Sequence, residues 1–456
     1  MPNAKLLAVL IWLFSGLFVS CSGQSEQDLS ETVIRSIEKR VDDELNPSIA
    51  IGLVDEQGVR FYNFGHTRSG GPEVSEHTIY EIGSITKVFT AILLAQQVLA
   101  GNMSLNDSIN QYLPSEAQVP AKGEQAITLG SLSDHTSGIP RLPANMAPAN
   151  PKNPYADYSV EQMYVFISSY EPTREVGAAY EYSNLAQGLL GHILALHANL
   201  PYEQLVMNEI AQPLEMEETG ITLSLPMQHN LAIGHAGSTE TDNWDIPTLA
   251  GAGALRSSTS DMVKFLAANL GLTETSLRES MELTHRVRHS QAGEMRVGLG
   301  WHIKAGKEGD VIWHNGGTGG YRAFAGLVKE TGKGVVVLTN SSISVDDIGF
   351  HLLDSGSELQ PVRSRSNAVA VPEETLEKYV GRYELAPNFN IEITRNGPQL
   401  YGQATGQDRF ELFAQSETEF FLTVVEARIT FQVKYDTVSS LTLFQAGQEV
   451  TGKKVE

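Results

Sequence analysis

Cysteine is almost absent: Cys21 is the single one in 456 residues, which excludes an internal disulfide and any centre built on paired thiolates. Basic runs are missing as well. The chain sets 32 Lys and Arg against 54 Asp and Glu, for a net charge of -22 and a pI near 5.0, and no cluster of Lys or Arg is long enough to track a phosphate backbone. This argues against nucleic acid as a partner, and the acidity serves solubility. The 12 histidines contain no His-Glu-x-x-His, so a metal centre of that type is excluded and neither metal nor cofactor is expected. There is no internal repeat in the range of about 20 to 50 residues and no low-complexity tract.

One apolar run stands out. "LLAVLIWLFSGLFV" follows Lys5 and leads into the small residues "SCSG". It is shorter than the roughly 20 residues a spanning helix needs and reads as an export signal over residues 1–20. The stretch "FVSC" resembles the lipobox of bacterial lipoproteins. That resemblance implies cleavage before Cys21, a lipid on its thiol, and a periplasmic protein attached to a bacterial membrane. Ordinary signal cleavage and secretion are the alternative.

Beyond the polar spacer "SGQSEQDLS", an amphipathic helix is expected over Glu31 to Glu44, with Val33, Ile37 and Val41 on one face. "SIAIGLVDEQGVRFYNFGH" predicts two strands joined by a tight turn at Glu56, Gln57 and Gly58. From Ser84 to Ala100 the periodicity is helical again, carried by Val88, Ile92, Ala95 and Leu99. The middle third is helix and loop, broken by the proline-rich "RLPANMAPANPKNPYADY". Strand patterns return in "VGLGWHIKAG", "DVIWHNGG", "YRAFAGLVKE" and "GVVVLTN". The expected fold is α+β: an antiparallel sheet drawn from both ends of residues 30–355, flanked by helices and carrying a helical subdomain. Composition shifts over 356–371 to charge, Ser and Pro, which predicts a linker. Residues 372–456 alternate as short strands, with a hairpin signal at Asn396-Gly397, and predict a small β-barrel-like domain.

Chemistry concentrates in three places. In "YEIGSITK" Ser84 precedes Lys87 by three residues at a helix start, so both share one face and the helix N-terminus favours developing negative charge. Serine needs a base, and lysine serves as one only when burial or another cation destabilises its ammonium form. Tyr80, Ile82, Ile85, Val88 and Phe89 are apolar enough to bury the pair. The rival match "SIEK", Ser36 to Lys39, lies among Arg35, Glu38 and Arg40, a face that looks solvated. In "YEYSNLAQGLLGHIL" Tyr182 could relay protons and Asn184 could orient a substrate carbonyl, although a tyrosine packed at a helix start is the plainer alternative. In "WHNGGTGGYR" His314, Gly316 and Gly317 end one strand, where glycines admit a substrate backbone and an N–H can join that of Ser84 in an oxyanion hole. A phosphate loop is the rival there. It fails because no Gly-Lys-Ser/Thr follows and no helix begins at these glycines.

Together "SITK", "YSN" and "HNG", in that order, resemble the serine β-lactamase and penicillin-recognising D,D-peptidase superfamily, in its class C β-lactamase-like branch. "YEIGSITK" is close to the active-site signature of that branch, with Tyr80 and Thr86 as mild variants, and "SDHTSGIPRL" looks like the loop those proteins keep beside the site. The resemblance implies an acyl-enzyme serine hydrolase acting on small molecules: β-lactams or related amides and esters. In it Ser84 attacks, Lys87 and Tyr182 pass protons, Asn184, His314, Gly316 and Gly317 hold substrate, and the N–H groups of Ser84 and Gly317 stabilise the oxyanion. Class C enzymes typically have lysine where His314 stands, and Asn315 replaces a hydroxyl residue. D-aminopeptidase, D,D-carboxypeptidase and carboxylesterase activity on the same fold therefore stay open, as does a non-catalytic sensor of cell-wall fragments. Arg322 is the cation this segment offers in place of the lysine, with a surface role as its alternative.

Overall fold

The computed structural model describes residues 29–120, 126–172, 174–290, 295–387, 389–405, 409–423, 427–445 and 448–455. The export run and Cys21 lie outside them. Among the described residues no helix is long and apolar enough to cross a membrane.

The first element is α1, Glu31–Asp42, whose N-terminus is capped by Ser30 Oγ accepting from the Val33 N–H at 3.3 Å. Strands β1, Ser48–Asp55, and β2, Gly58–Gly65, follow as a hairpin over Glu56-Gln57. Much later come β3 (His289–Ser290), β4 (Met295–Val297), β5 (His302–Ala305), β6 (Asp310–Gly317), β7 (Arg322–Val328) and β8 (Lys333–Thr339). Among the described residues these form one antiparallel sheet in the order β2-β1-β8-β7-β6-β5-β4-β3. The join between the two ends of the chain is β1 against β8, with Ile51 opposite Val337. Both central strands are nearly all buried, as strands covered on two faces must be.

Each face of the sheet has its own core. Ile49, Ile51, Leu53, Val335 and Val337 pack toward α1 and toward the helix Asp346–Leu353. Ala50, Val54, Val336 and Leu338 face the helical side, where the helices Thr86–Leu99 and Thr259–Leu270 meet through Phe89 stacked on Phe265 at 4.3 Å. Thr86–Leu99 is buried on every side from Thr86 to Ala95. That explains why a single apolar stripe understates it, and why Leu99, assigned to that stripe, is instead half exposed at the last turn. Arg40 departs from its expected solvated face too. It is buried and donates to Asp347 Oδ2 at 2.6 Å, tying α1 to Asp346–Leu353.

The chain then crosses to a second body. Ser366 Oγ donates to Asp43, Arg363 Nε donates to Gln415, and the Val369 N–H donates to the Ala414 carbonyl, so the connecting segment is pinned at both ends. Among the described residues eight antiparallel strands between Gly381 and Lys454 close into a barrel, the last pairing with the first at Tyr383 and Lys454. The short helix Glu373–Tyr379 plugs it, with Tyr379 stacked on Phe431 at 4.2 Å. The expected hairpin at Asn396-Gly397 turns one residue later. Asn396 pairs with Gln399, leaving Gly397-Pro398 as the loop, with Gly397 at φ 56° where proline could not stand.

Candidate active site

The nucleophile's turn is fixed by the strands on either side. Tyr80-Glu81 forms a short ladder with Arg256-Ser257, the Ile82 N–H donates to the Leu255 carbonyl at 3.1 Å, and the Leu255 N–H donates back to Thr86 Oγ1 at 3.1 Å. Gly83 adopts φ 49° to turn the chain into the helix, and Ser84 follows in the tight turn Gly83–Ile85. Strand β6 closes against this turn. A Cβ on Gly316 would lie 1.9 Å from the Ile82 carbonyl oxygen and 3.3 Å from the Ser84 nitrogen, and one on Gly83 would lie 2.7 Å from the Gly317 nitrogen. The backbones that carry the two expected oxyanion donors are therefore in direct contact.

Lys87, one helical turn on, is wholly buried, and its Nζ donates to Ser84 Oγ at 2.8 Å and to the Ala252 carbonyl at 2.6 Å. Burial first, and the nearby Arg141 charge second, hold its pKa well below the ordinary lysine value. Tyr182 arrives from the loop before the helix Asn184–Ala198, which Ser183 caps. Its phenol faces Ser84, and its ring lies 4.9 Å from Lys87 Nζ. Burial raises the Tyr182 pKa, opposed by Ser84 and Arg141. The two shifts favour the same resting state, a neutral amine beside a neutral phenol. A phenolate at Tyr182 is thereby disfavoured, and Lys87 is the better placed base.

By contrast, Ser36 and Lys39 make no pair of this kind. Lys39 Nζ turns to Asp43 Oδ2 at 2.8 Å and to Ser366 Oγ at 2.9 Å.

His314 is fully enclosed. Its Nδ1 bonds the Asn315 carbonyl at 2.5 Å, which makes Nδ1 the protonated nitrogen, and its ring stacks on His302 at 4.8 Å and 20°. Burial, then His302 and Lys87, push its pKa well below the ordinary histidine value. It thus supports the site from beneath. Asn315 turns to the other face of the sheet and donates Nδ2 to Asp346 Oδ2 at 2.5 Å. Asn184 donates to the Tyr155 hydroxyl at 3.2 Å, while its Oδ1 has no hydrogen-bond partner among the described residues. Arg322 gives Nη1 to the Thr318 and Tyr321 carbonyls, 3.0 Å each, alongside Gly317.

Several neighbours had no sequence signal of their own. His135, at φ 61°, accepts the Ser183 N–H on Nδ1 at 3.1 Å and lies 4.6 Å from the Tyr182 ring. His302 takes a hydrogen bond with the Tyr180 hydroxyl at 3.0 Å, and burial pushes it down to about 4. Tyr155, from the proline-rich segment, packs on Trp244 at 5.4 Å. Trp244 is itself anchored, its N–H donating to buried Glu81 at 2.9 Å, where Arg256 also pairs. His135 and Arg141 both fall inside "SDHTSGIPRL", so the segment was marked although its residues were not.

An activated serine, a buried lysine and a phenol between an antiparallel sheet and a helical subdomain define a serine hydrolase of the β-lactamase type. The family model described as Beta-lactamase matches residues 33–351, and the chain belongs to that family. A second model, described as a domain of unknown function (DUF3471), matches residues 365–455. Among curated proteins, the D-alanyl-D-alanine-carboxypeptidase/endopeptidase AmpH of Escherichia coli (strain K12) is 29% identical over 316 residues, covering 65% of this chain and 80% of that one. A "Beta-lactamase" of the same organism is 23% identical over 359 residues, covering 71% and 92%. Solved structures share the fold. "A class C beta-lactamase" aligns with TM-score 0.62 at 21% identity over 69% of this chain and 92% of its own. A Beta-Lactamase/D-Alanine Carboxypeptidase from Pseudomonas syringae aligns with TM-score 0.60 at 23% identity over 68% and 93%.

Proposed function

We infer that the protein hydrolyses a β-lactam or a related amide or ester of a small molecule through an acyl group on Ser84. The observation that supports this best is the contact of a desolvated Lys87 amine with Ser84 Oγ at 2.8 Å, beside the Tyr182 phenol. In the neutral amine the Ala252 carbonyl keeps one N–H, and rotation of the amine turns its lone pair to Ser84 Oγ in place of the N–H donated there, so that it accepts the Ser84 proton. The Ser84 Oγ–carbonyl bond forms as that proton moves to Lys87. Negative charge on the former carbonyl oxygen is met by the N–H groups of Ser84 and Gly317. As the bond to the leaving group breaks, Tyr182 gives it a proton and regains one from Lys87. A water deprotonated by the same pair then attacks the acyl group and frees Ser84. Asn184 lines the wall that holds the substrate, while His314 and Gly316, assigned to substrate from the sequence, are enclosed and instead fix the strand that carries Gly317.

A second reading, D-aminopeptidase or carboxylesterase activity, is favoured by His314, with D,D-carboxypeptidase activity open beside them. Burial keeps that ring uncharged where class C enzymes typically carry a lysine, which removes an enclosed cation suited to a β-lactam carboxylate. Intact-mass analysis with a chromogenic cephalosporin, a short-chain nitrophenyl ester and a D-Ala-D-Ala peptide separates the readings. A substrate whose acyl adduct appears on Ser84 and decays with product release is expected, and an unmodified protein with no turnover across the panel overturns the hydrolase assignment.

Export and attachment to a bacterial membrane through lipidated Cys21 complete the proposal, supported by the apolar run and the "FVSC" sequence. Incorporation of labelled palmitate that is lost in Cys21→Ser is the expected result, and a soluble, unlabelled wild-type protein in the same cells contradicts it.

A further inference from the structure

Lys87 and three histidines crowd the nucleophile, yet burial holds each of them toward its uncharged form. Arg141 is different. Its residue is exposed, and its guanidinium carbon lies 5.1 Å from the centre of the Tyr182 ring, whose hydroxyl reaches Ser84. Its backbone is clamped to the start of the helix Asn184–Ala198. The Arg141 carbonyl accepts the N–H groups of Asn184 and Leu185 at 3.0 and 3.2 Å, and the preceding Pro140 carbonyl accepts Ser183 Oγ at 2.6 Å. A fixed backbone thus aims a standing positive charge at the mouth of the site.

In a chain with 22 more acidic than basic side chains, arginines readily find carboxylates: Arg40 with Asp347, Arg256 with Glu81, Arg288 with Asp134 and Arg296 with Asp310. Among the described residues Arg141 forms no such bridge. Its planar fork of N–H donors matches a carboxylate bidentately. Resting on the hydrolase reading above, the geometry points to Arg141 as the specificity residue that selects substrates carrying a carboxylate near the scissile carbonyl. Arg322 is a poorer candidate, because its Nη1 is already given to two backbone carbonyls.

The test compares mono-4-nitrophenyl adipate with 4-nitrophenyl hexanoate, two esters of equal chain length that differ in a terminal carboxylate. Arg141→Gln is expected to lower the ratio of kcat/KM for adipate over hexanoate by about tenfold or more, mainly through KM, as loss of a charge-assisted pair implies. Arg141→Lys should restore part of it, added salt should shrink the wild-type ratio, and Arg322→Gln should leave the ratio unchanged. An unaltered ratio in Arg141→Gln, or a fall that follows Arg322→Gln instead, overturns the inference. Failure of the hydrolase reading is seen separately, as absence of turnover of either ester by the wild type. In that event the ratio of the two dissociation constants in Ser84→Ala, with and without Arg141→Gln, read by tryptophan fluorescence, still decides the role of Arg141.

Discussion

Gly316 stands where the Ile82 carbonyl leaves no space for a side chain: an added Cβ would lie 1.9 Å from that oxygen. Backbone, unlike a flexible side chain, cannot swing aside. Gly316→Ala is therefore expected to push β6 off the Ser84 turn and reduce kcat by at least about 100-fold, the scale of a lost oxyanion donor. Gly317→Ala would meet the Arg322 guanidinium at 2.9 Å, which can move, so a smaller loss is expected. Equal effects of the two changes on kcat, with both proteins folded by circular dichroism, would contradict this account of the contact.

Ser84 and Ser36 both begin a Ser-x-x-Lys match, and only Ser84 keeps its lysine. A fluorophosphonate or penicillin should label wild type and Ser36→Ala alike and leave Ser84→Ala unlabelled. Label retained by Ser84→Ala would refute the choice of nucleophile.

Lys87 is buried and held toward neutrality, so Lys87→Met should preserve the fold while slowing acylation by about 10²- to 10⁴-fold, the range for a positioned base. Stopped-flow bursts with a nitrophenyl ester measure this step. A variant that acylates as fast as wild type removes Lys87 from the mechanism.

Arg141 depresses the Lys87 pKa through its charge, after burial. Removing that charge lets the Lys87 pKa rise, so the base is protonated at higher pH. The acid limb of kcat/KM for a neutral ester should move to higher pH in Arg141→Gln. A limb that stays put, or moves down, shows that the arginine's field does not reach the amine.

His302 has a pKa of about 4 in the folded chain against an ordinary 6.5, chiefly through burial and then Lys87. The unfolded chain therefore binds the proton first as pH falls. Stability contributed by the neutral ring is whole above about pH 6.5 and is lost as pH drops toward 4, at most on the order of 3 kcal/mol. Across that window Tm should fall less steeply in His302→Gln than in wild type, as scanning calorimetry would reveal. Parallel slopes would indicate that this ring does not carry the effect.

Sequence pattern reached the central sheet, because β1, β6, β7 and β8 are apolar runs bounded by turn residues, and it reached Ser84, Lys87 and Tyr182, because short spacing and a helix start link them. It reached less of the surrounding shell. His135, Tyr155, Trp244 and His302 come from separate elements of the chain, and no local spacing joins them; only the fold does. Side-chain environment was the other loss. Arg40 looks solvated among its neighbours in sequence and is buried because Asp347, more than 300 residues away, meets it. His314 was legible as a residue of the site, while its enclosure depends on β5 bringing His302 alongside.

The connecting segment binds α1 through Ser366 and the barrel through Gln415 and Ala414, on the side of the sheet that Asp346–Leu353 covers, whereas Ser84 opens the helix Thr86–Leu99 on the other side. Mutations that remodel one body need not disturb the other, so selection is free to retune the attached module while turnover goes on as before.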